Sequence, residues 1–172
     1  MNELDQIWST MLARAIDAAH ASGRGDVADY LTLRAANDLR REAGVRWLVD
    51  SLIELGTTRQ AAAAGILIHR HEPHSFNLGI SNITGTRINL SKGVRCLSVE
   101  AGWTRTPADG FMRGGALAIA RLSHFGIPKL TEQLHLIPVG DTPDWFRIVD
   151  GKRGESFHAD DIAEHFRIFA EL

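Results

Sequence analysis

Residues 103–115 read WTRTPADGFMRGG, and place an indole, two guanidinium groups, a carboxylate, a proline and three glycines within one short stretch. Glycines permit close backbone approach and dihedral angles closed to other residues. A helix starting at Gly114 would present free N–H groups, which attract phosphate or carboxylate. Arg105 and Arg113 carry the planar fork that matches an oxyanion. Trp103 offers a face to a base, a ring or a guanidinium. Trp103, Arg105, Asp109, Arg113, Gly114 and Gly115 are therefore the candidate ligand contacts, with Arg87 and Arg95 behind them. The competing reading is a structural elbow in which Asp109 pairs with an arginine and Trp103 fills a gap.

The densest group of histidines is HRHEPH, residues 69–74. On a strand His69 and His71 point to one side, because side chains alternate, and His74 turns back after Pro73. Three imidazoles can hold Zn²⁺, with His124 or His135 as a distant fourth ligand. Glu72 or Glu100 would then serve as the base of a metal-assisted hydrolase. The bland alternative is a polar strand face with exposed histidines. Other chemistry has thinner support. No Gly-x-Ser-x-Gly elbow, phosphate-binding Gly-x4-Gly-Lys loop or Gly-x-Gly-x-x-Gly turn is present. Cys96 is the lone cysteine and reads as packing within a strand.

These residues sit in a chain of ordinary globular composition. Of its 172 residues 44% are hydrophobic and 23% charged, enough to bury a core and too apolar for disorder. A single cysteine cannot close an intrachain disulfide, which points to a reducing compartment. The first residues, MNELDQIW, have no basic or apolar leader region, and no apolar run reaches the length of a membrane span. The reading is a soluble cytoplasmic domain. Charge is unevenly spread. Residues 85–129 carry seven Lys and Arg against two acids, whereas residues 130–172 carry four against nine. Either the two segments neutralise each other, or the basic centre forms a positive field for an anion.

The positioning elements read as helices followed by strands. Leu4, Trp8, Met11, Leu12, Ala15, Ile16 and Ala19 recur at helical spacing. Gly23 stops that helix, and Asp26 caps a second that ends at Gly44. A third begins near Val45 with Trp47, Leu48, Leu52 and Leu55. Three helices invite a helix-turn-helix, but WLVDSLIELG is apolar and acidic where a recognition helix needs basic and amide groups. A layer over a sheet or a dimerisation face fits better. From Gly65 the pattern becomes β-type, interrupted at Pro73. RINL and RCLSVEAGW make a hairpin around Lys92–Gly93 with Ile88 opposite Leu97. One of its faces carries Ile88, Leu90, Leu97 and Val99; the other carries Arg87, Asn89, Cys96, Ser98 and Glu100. ALAIARLSHFG, apolar nearly all round, reads as a buried helix over 114–125. LHLIPV and WFRIV read as strands, DGKRG as a hairpin loop, and 158–171 as an amphipathic helix on Ile162, Phe166 and Phe169.

The expected fold is α+β. A helical layer of about three helices fills 1–64. A mostly antiparallel sheet fills 65–172, with one inserted and one terminal helix. The expected function is a binding module whose segment 85–129 engages an anionic partner: a nucleotide, a phosphorylated small molecule or a nucleic-acid backbone. The alternatives are the zinc-assisted hydrolase, and a non-catalytic subunit of an assembly. That subunit would dock on proteins, or on itself, through the helical N-terminus and IAEHFRIFAEL.

Overall fold

The computed structural model describes residues 3–171. Four helices and seven strands follow in the order α1 (Glu3–Ala21), α2 (Gly25–Gly56), α3 (Arg59–Ala63), β1 (Leu67–Leu78), β2 (Ser81–Lys92), β3 (Arg95–Trp103), β4 (Ala118–His124), β5 (Glu132–Val139), β6 (Thr142–Val149), β7 (Lys152–Ser156) and α4 (Ala159–Glu171). The strands form one antiparallel meander in sequence order, so the fold class is α+β. No helix among the described residues is long and apolar enough to cross a membrane.

The chain divides into two compact units, residues 1–43 and 44–172. In the first, α1 and the opening turns of α2 are joined by a tight bend. Gly23 adopts a left-handed φ of +71°, and the N–H groups of Gly23 and Arg24 donate to the carbonyls of His20 and Ala19. This 5→2 and 6→1 pair is a Schellman stop. Asp5, Leu12 and Ala19 are buried at seven-residue spacing. The Trp8 indole N–H donates to Asp38, and the Arg34 guanidinium stacks 4.9 Å from the Trp8 ring centroid.

In the second unit, the rest of α2 presents Val45, Leu48, Val49 and Leu52 at i, i+3, i+4, i+7 to one face of the sheet. That face supplies Ile88, Leu90, Leu97, Val99, Leu122, Leu134, Leu136 and Trp145, and α4 closes the core with Ile162 and Phe169. Gly44 does not end a helix, as its residue type suggests, but lies inside the 32-residue α2. A Cβ there would fall 2.4 Å from Leu136 Cδ2, so the glycine lets the helix press against the sheet.

Two further expectations are corrected. Residues 118–124 are strand β4, not the inserted buried helix expected over 114–125. Ala118, Ala120, Leu122 and His124 face the core, and Ile119 is buried on the other side. With Ile119 apolar on the second face, residues 116–120 run apolar without alternation and resemble a buried helix in sequence. The β2–β3 hairpin has the expected faces but turns one residue later. Gly93, at φ +60°, and Val94 form a two-residue loop, so Lys92 pairs with Arg95 and Ile88 lies opposite Val99 rather than Leu97. A two-residue slip keeps every side chain on its own face.

Candidate functional site

The face of the sheet turned away from the core is polar, and its ladders order the site. One row runs His74, Gly85, Gly102, Ile119, His135 across β1 to β5. The next runs Arg87, Glu100, Arg121, Gln133. In the first row Gly85 and Gly102 lie directly opposite each other. A Cβ on Gly85 would meet the Ala101 carbonyl oxygen at 1.9 Å, and one on Gly102 the Thr84 oxygen at 2.4 Å. The pair lets the two backbones close up.

A cavity of about 370 Å³ opens on this face. Its floor is Ile83, Ile119, Gln133, His135 and Ile148. The β1–β2 turn at Leu78–Ser81, the segment Phe111–Arg113 and the β6–β7 turn at Asp150–Gly151 form its walls. Its size falls in the range of small-molecule sites, and its lining mixes apolar side chains with the polar Ser81, Arg113, Gln133, His135 and Asp150. The segment 111–113 is pinned to β2. Ser81 Oγ donates to the Phe111 carbonyl at 3.1 Å, and Gly110, at φ +98°, lies so close to Ser81 that a Cβ would meet its Oγ at 2.8 Å. Among the polar groups, the Gln133 amide nitrogen stands 3.0 Å from His135 Nε2. An amide nitrogen only donates, so the His135 ring proton belongs on Nδ1. Burial pushes the His135 ring below the ordinary histidine value.

The structure separates the residues singled out in the sequence. Of the 103–115 group, Arg113 reaches the cavity, with Phe111 and Met112 beside it. Trp103 is buried in the core, and the Arg105 guanidinium carbon lies 3.9 Å from its ring centroid while Nη2 donates to the Thr84 carbonyl. Asp109 accepts from the Thr106 N–H and hydroxyl, both at 2.9 Å, and from the Asn82 amide at 3.4 Å. The Thr106 N–H above all holds its carboxyl below the usual range. Gly114 and Gly115 adopt φ of +65° and +71° inside a three-residue 3-10 turn, Arg113–Gly115. Two left-handed residues in succession bar an α-helix, so the expected anion-binding helix start at Gly114 is absent.

The other basic residues are spread out. Arg87 donates to Asn89 at 3.0 Å. Arg95 pairs with Lys92 at the hairpin end, and its Nη1 is buried with no hydrogen-bond partner among the described residues. Arg121 is neutralised by Glu100, which accepts from Arg121 Nε at 2.8 Å and from Nη2, and whose other oxygen lies 2.9 Å from His74 Nε2. Burial pushes the Glu100 carboxyl up, but hydrogen bonds from His74 and Arg121 outweigh it and hold it below the ordinary glutamate value.

The zinc set does not assemble. His69 and His71 share the polar face of β1, opposite Asn89 and Arg87, but the register shifts between His71 and His74. His74 then spends its Nε2 on Glu100, and Glu72 is held by Arg70. Among the described residues no three His, Cys, Asp or Glu side chains converge to hold a metal.

No protein-family model, curated protein or solved structure matches the chain. The site is therefore read from its own residues. The sequence names His135 only as a distant zinc ligand, and does not single out Ile83, Ile119, Gln133, Ile148 and Asp150. The one sequence signal among them is strand alternation in β5, which puts Gln133 and His135 on the face opposite Leu134 and Leu136.

A second polar group borders the core. His124 Nε2 lies 3.0 Å from His165 Nδ1, and His165 Nε2 lies 3.3 Å from Glu132. Arg147 donates to Glu132 at 2.9 Å and to Asp161 at 2.7 Å, and Asp161 accepts from the His158 N–H at the start of α4. With one proton on each imidazole the chain is satisfied: His124 donates to His165, His165 to Glu132, and Arg147 to Glu132 and Asp161. The group ties α4 to β4, β5 and β6.

Proposed function

We propose that the chain is a binding module for a small molecule with an apolar body and one anionic group, carried in the cavity beneath residues 111–113. The observation that carries this reading is Arg113, the one lysine or arginine among the described residues that line the cavity, beside an apolar floor and with Asp150 as the one carboxylate. An apolar body would rest on Ile83, Ile119, Ile148 and Phe111. Its carboxylate or phosphate would meet Arg113, while Gln133 and His135 fix its orientation. A nucleic-acid backbone fits less well. Such a partner needs a run of free cations along a surface, whereas Arg87 and Arg121 are engaged by Asn89 and Glu100 and Arg105 is stacked on Trp103.

The test compares octanoate with 1-octanol, which share a body and differ in charge, by calorimetric titration of the full chain. Octanoate is expected to bind at least tenfold more tightly than the alcohol. Arg113→Gln should erase that difference with an unchanged thermal unfolding curve. Equal affinity for both probes, or a charge preference that survives Arg113→Gln, overturns the reading.

A further inference from the structure

On α1, successive side chains advance by about 100° around the helix. Leu4, Ile7, Trp8, Met11, Ala15 and Ala18 fall in one stripe about 100° wide, and the buried Asp5, Leu12 and Ala19 lie immediately beside it. The apolar arc is thus much wider than the part α1 buries. Leu4, Ile7 and Met11 are each more than half exposed, and Trp8 is 38% exposed. Tyr30 and Leu33 extend the patch on the side of α2 that carries Arg34, where Trp8 reaches across; both are more than half exposed. At about 100 Å² a side chain, the six large residues offer roughly 600 Å², most of the ~800 Å² per partner of a standard interface. An exposed apolar patch of this size marks an interaction surface.

We infer that this stripe pairs with the same stripe of a second copy, α1 antiparallel to α1 about a two-fold axis near Met11. Two features select a second copy. The stripe is large in its first half (Leu4, Ile7, Met11) and small in its second (Ala15, Ala18). Antiparallel pairing about Met11 sets Leu4 against Ala18 and Ile7 against Ala15, large against small, with Met11 against its own copy at the axis. The stripe also carries no charged side chain, so nothing in it repels its own copy. Two such helix pairs joined in this way form a four-helix bundle. The inference is independent of the cavity.

Sedimentation equilibrium of the full chain is expected to give twice the 18.9 kDa chain mass at micromolar concentration. Met11→Glu keeps a good helix former and should weaken association at least 100-fold with unchanged circular dichroism, whereas Ala13→Glu, on the polar side of α1, should leave it unchanged. Under mild oxidation Met11→Cys should link to itself. Leu4→Cys should not, but should link to Ala18→Cys when the two variants are mixed. A wild-type monomer up to hundreds of micromolar overturns the inference, as does a dimer that survives Met11→Glu. Self-linking of Leu4→Cys with none at Met11→Cys overturns the antiparallel pairing.

Discussion

Trp145 donates its indole N–H to the backbone carbonyl of Gly44 across 3.1 Å. The bond spans 101 residues and joins β6 to α2 where the helix lies closest to Leu136. Both partners matter for packing. Trp145→Phe loses the bond and part of the ring, and is expected to lower the unfolding free energy by about 1–3 kcal/mol. Gly44→Leu gains about 1 kcal/mol of helix propensity, yet should destabilise by at least about 2 kcal/mol, because Leu136 is itself buried and cannot yield. Urea unfolding of the two variants measures both.

The Gly85–Gly102 pair makes a sharper prediction. Here a Cβ meets main chain rather than the end of a side chain. Gly85→Ala and Gly102→Ala should each cost about 3 kcal/mol or more. The double variant should cost less than the sum, because each substitution forces the same two strands apart. Chemical denaturation of the three proteins tests this.

Two arginines eight residues apart in the same loop region should behave differently. Arg105→Gln removes the stack on Trp103 and is expected to cost about 1 kcal/mol of stability while octanoate binding persists. Arg113→Gln should change stability by less than about 0.5 kcal/mol and abolish the charge preference. Identical effects of the two substitutions on binding would return both residues to one shared site.

Acid should weaken the protein in two stages. Burial holds His135 below the ordinary histidine value, and burial together with the neighbouring His165 does so for His124. The unfolded chain therefore takes up protons that the folded chain refuses. Stability from these rings is complete above about pH 6.5 and declines as pH falls through that value, by at most about 1.4 kcal/mol per pH unit for each proton. Glu100, Glu132 and Asp161 are held below their ordinary values against the effect of burial, Glu132 by His165 and Arg147 and Asp161 by the His158 N–H and Arg147. Their contribution is present above the ordinary carboxylate range and is lost below it. Urea midpoints should drop between pH 7.5 and 5.5 and again below pH 4.5, and the first drop should shrink in His135→Gln. A midpoint flat between pH 7.5 and 5.5 would sink this account.

Breaking the α4 clasp should cost more than its exposure suggests. Arg147→Met leaves Glu132 and Asp161 together without their shared cation, for a loss of about 2–4 kcal/mol. Glu132→Gln keeps the shape and one acceptor, and should cost less. Thermal unfolding at pH 7.5 ranks the two.

Local patterning made much of the fold legible. The stop at Gly23, the two faces of β2 and β3, the strands ending in Val139 and Val149, and α4 on Ile162 and Phe169 all follow from period and turn chemistry between neighbours in sequence. Less of the site could be read this way. Segment 103–115 does reach a concavity, but its arginines part company: Arg105 lies along a core indole and Arg113 on the cavity wall. Pocket residues such as Ile119 and Ile148 are indistinguishable from core residues until the sheet assigns their side.

The sequence by itself determined which segments alternate, which recur at helical spacing, and hence the α+β class, because these signals act over a few residues. Tertiary structure alone decided the rest. It made Gly44 a point of contact instead of a stop, turned 118–124 into a strand, parted His74 from His69 and His71, and gathered Arg113, Gln133 and His135 around one cavity. Each of those outcomes depends on what a distant strand places opposite the residue, and no local period carries that information.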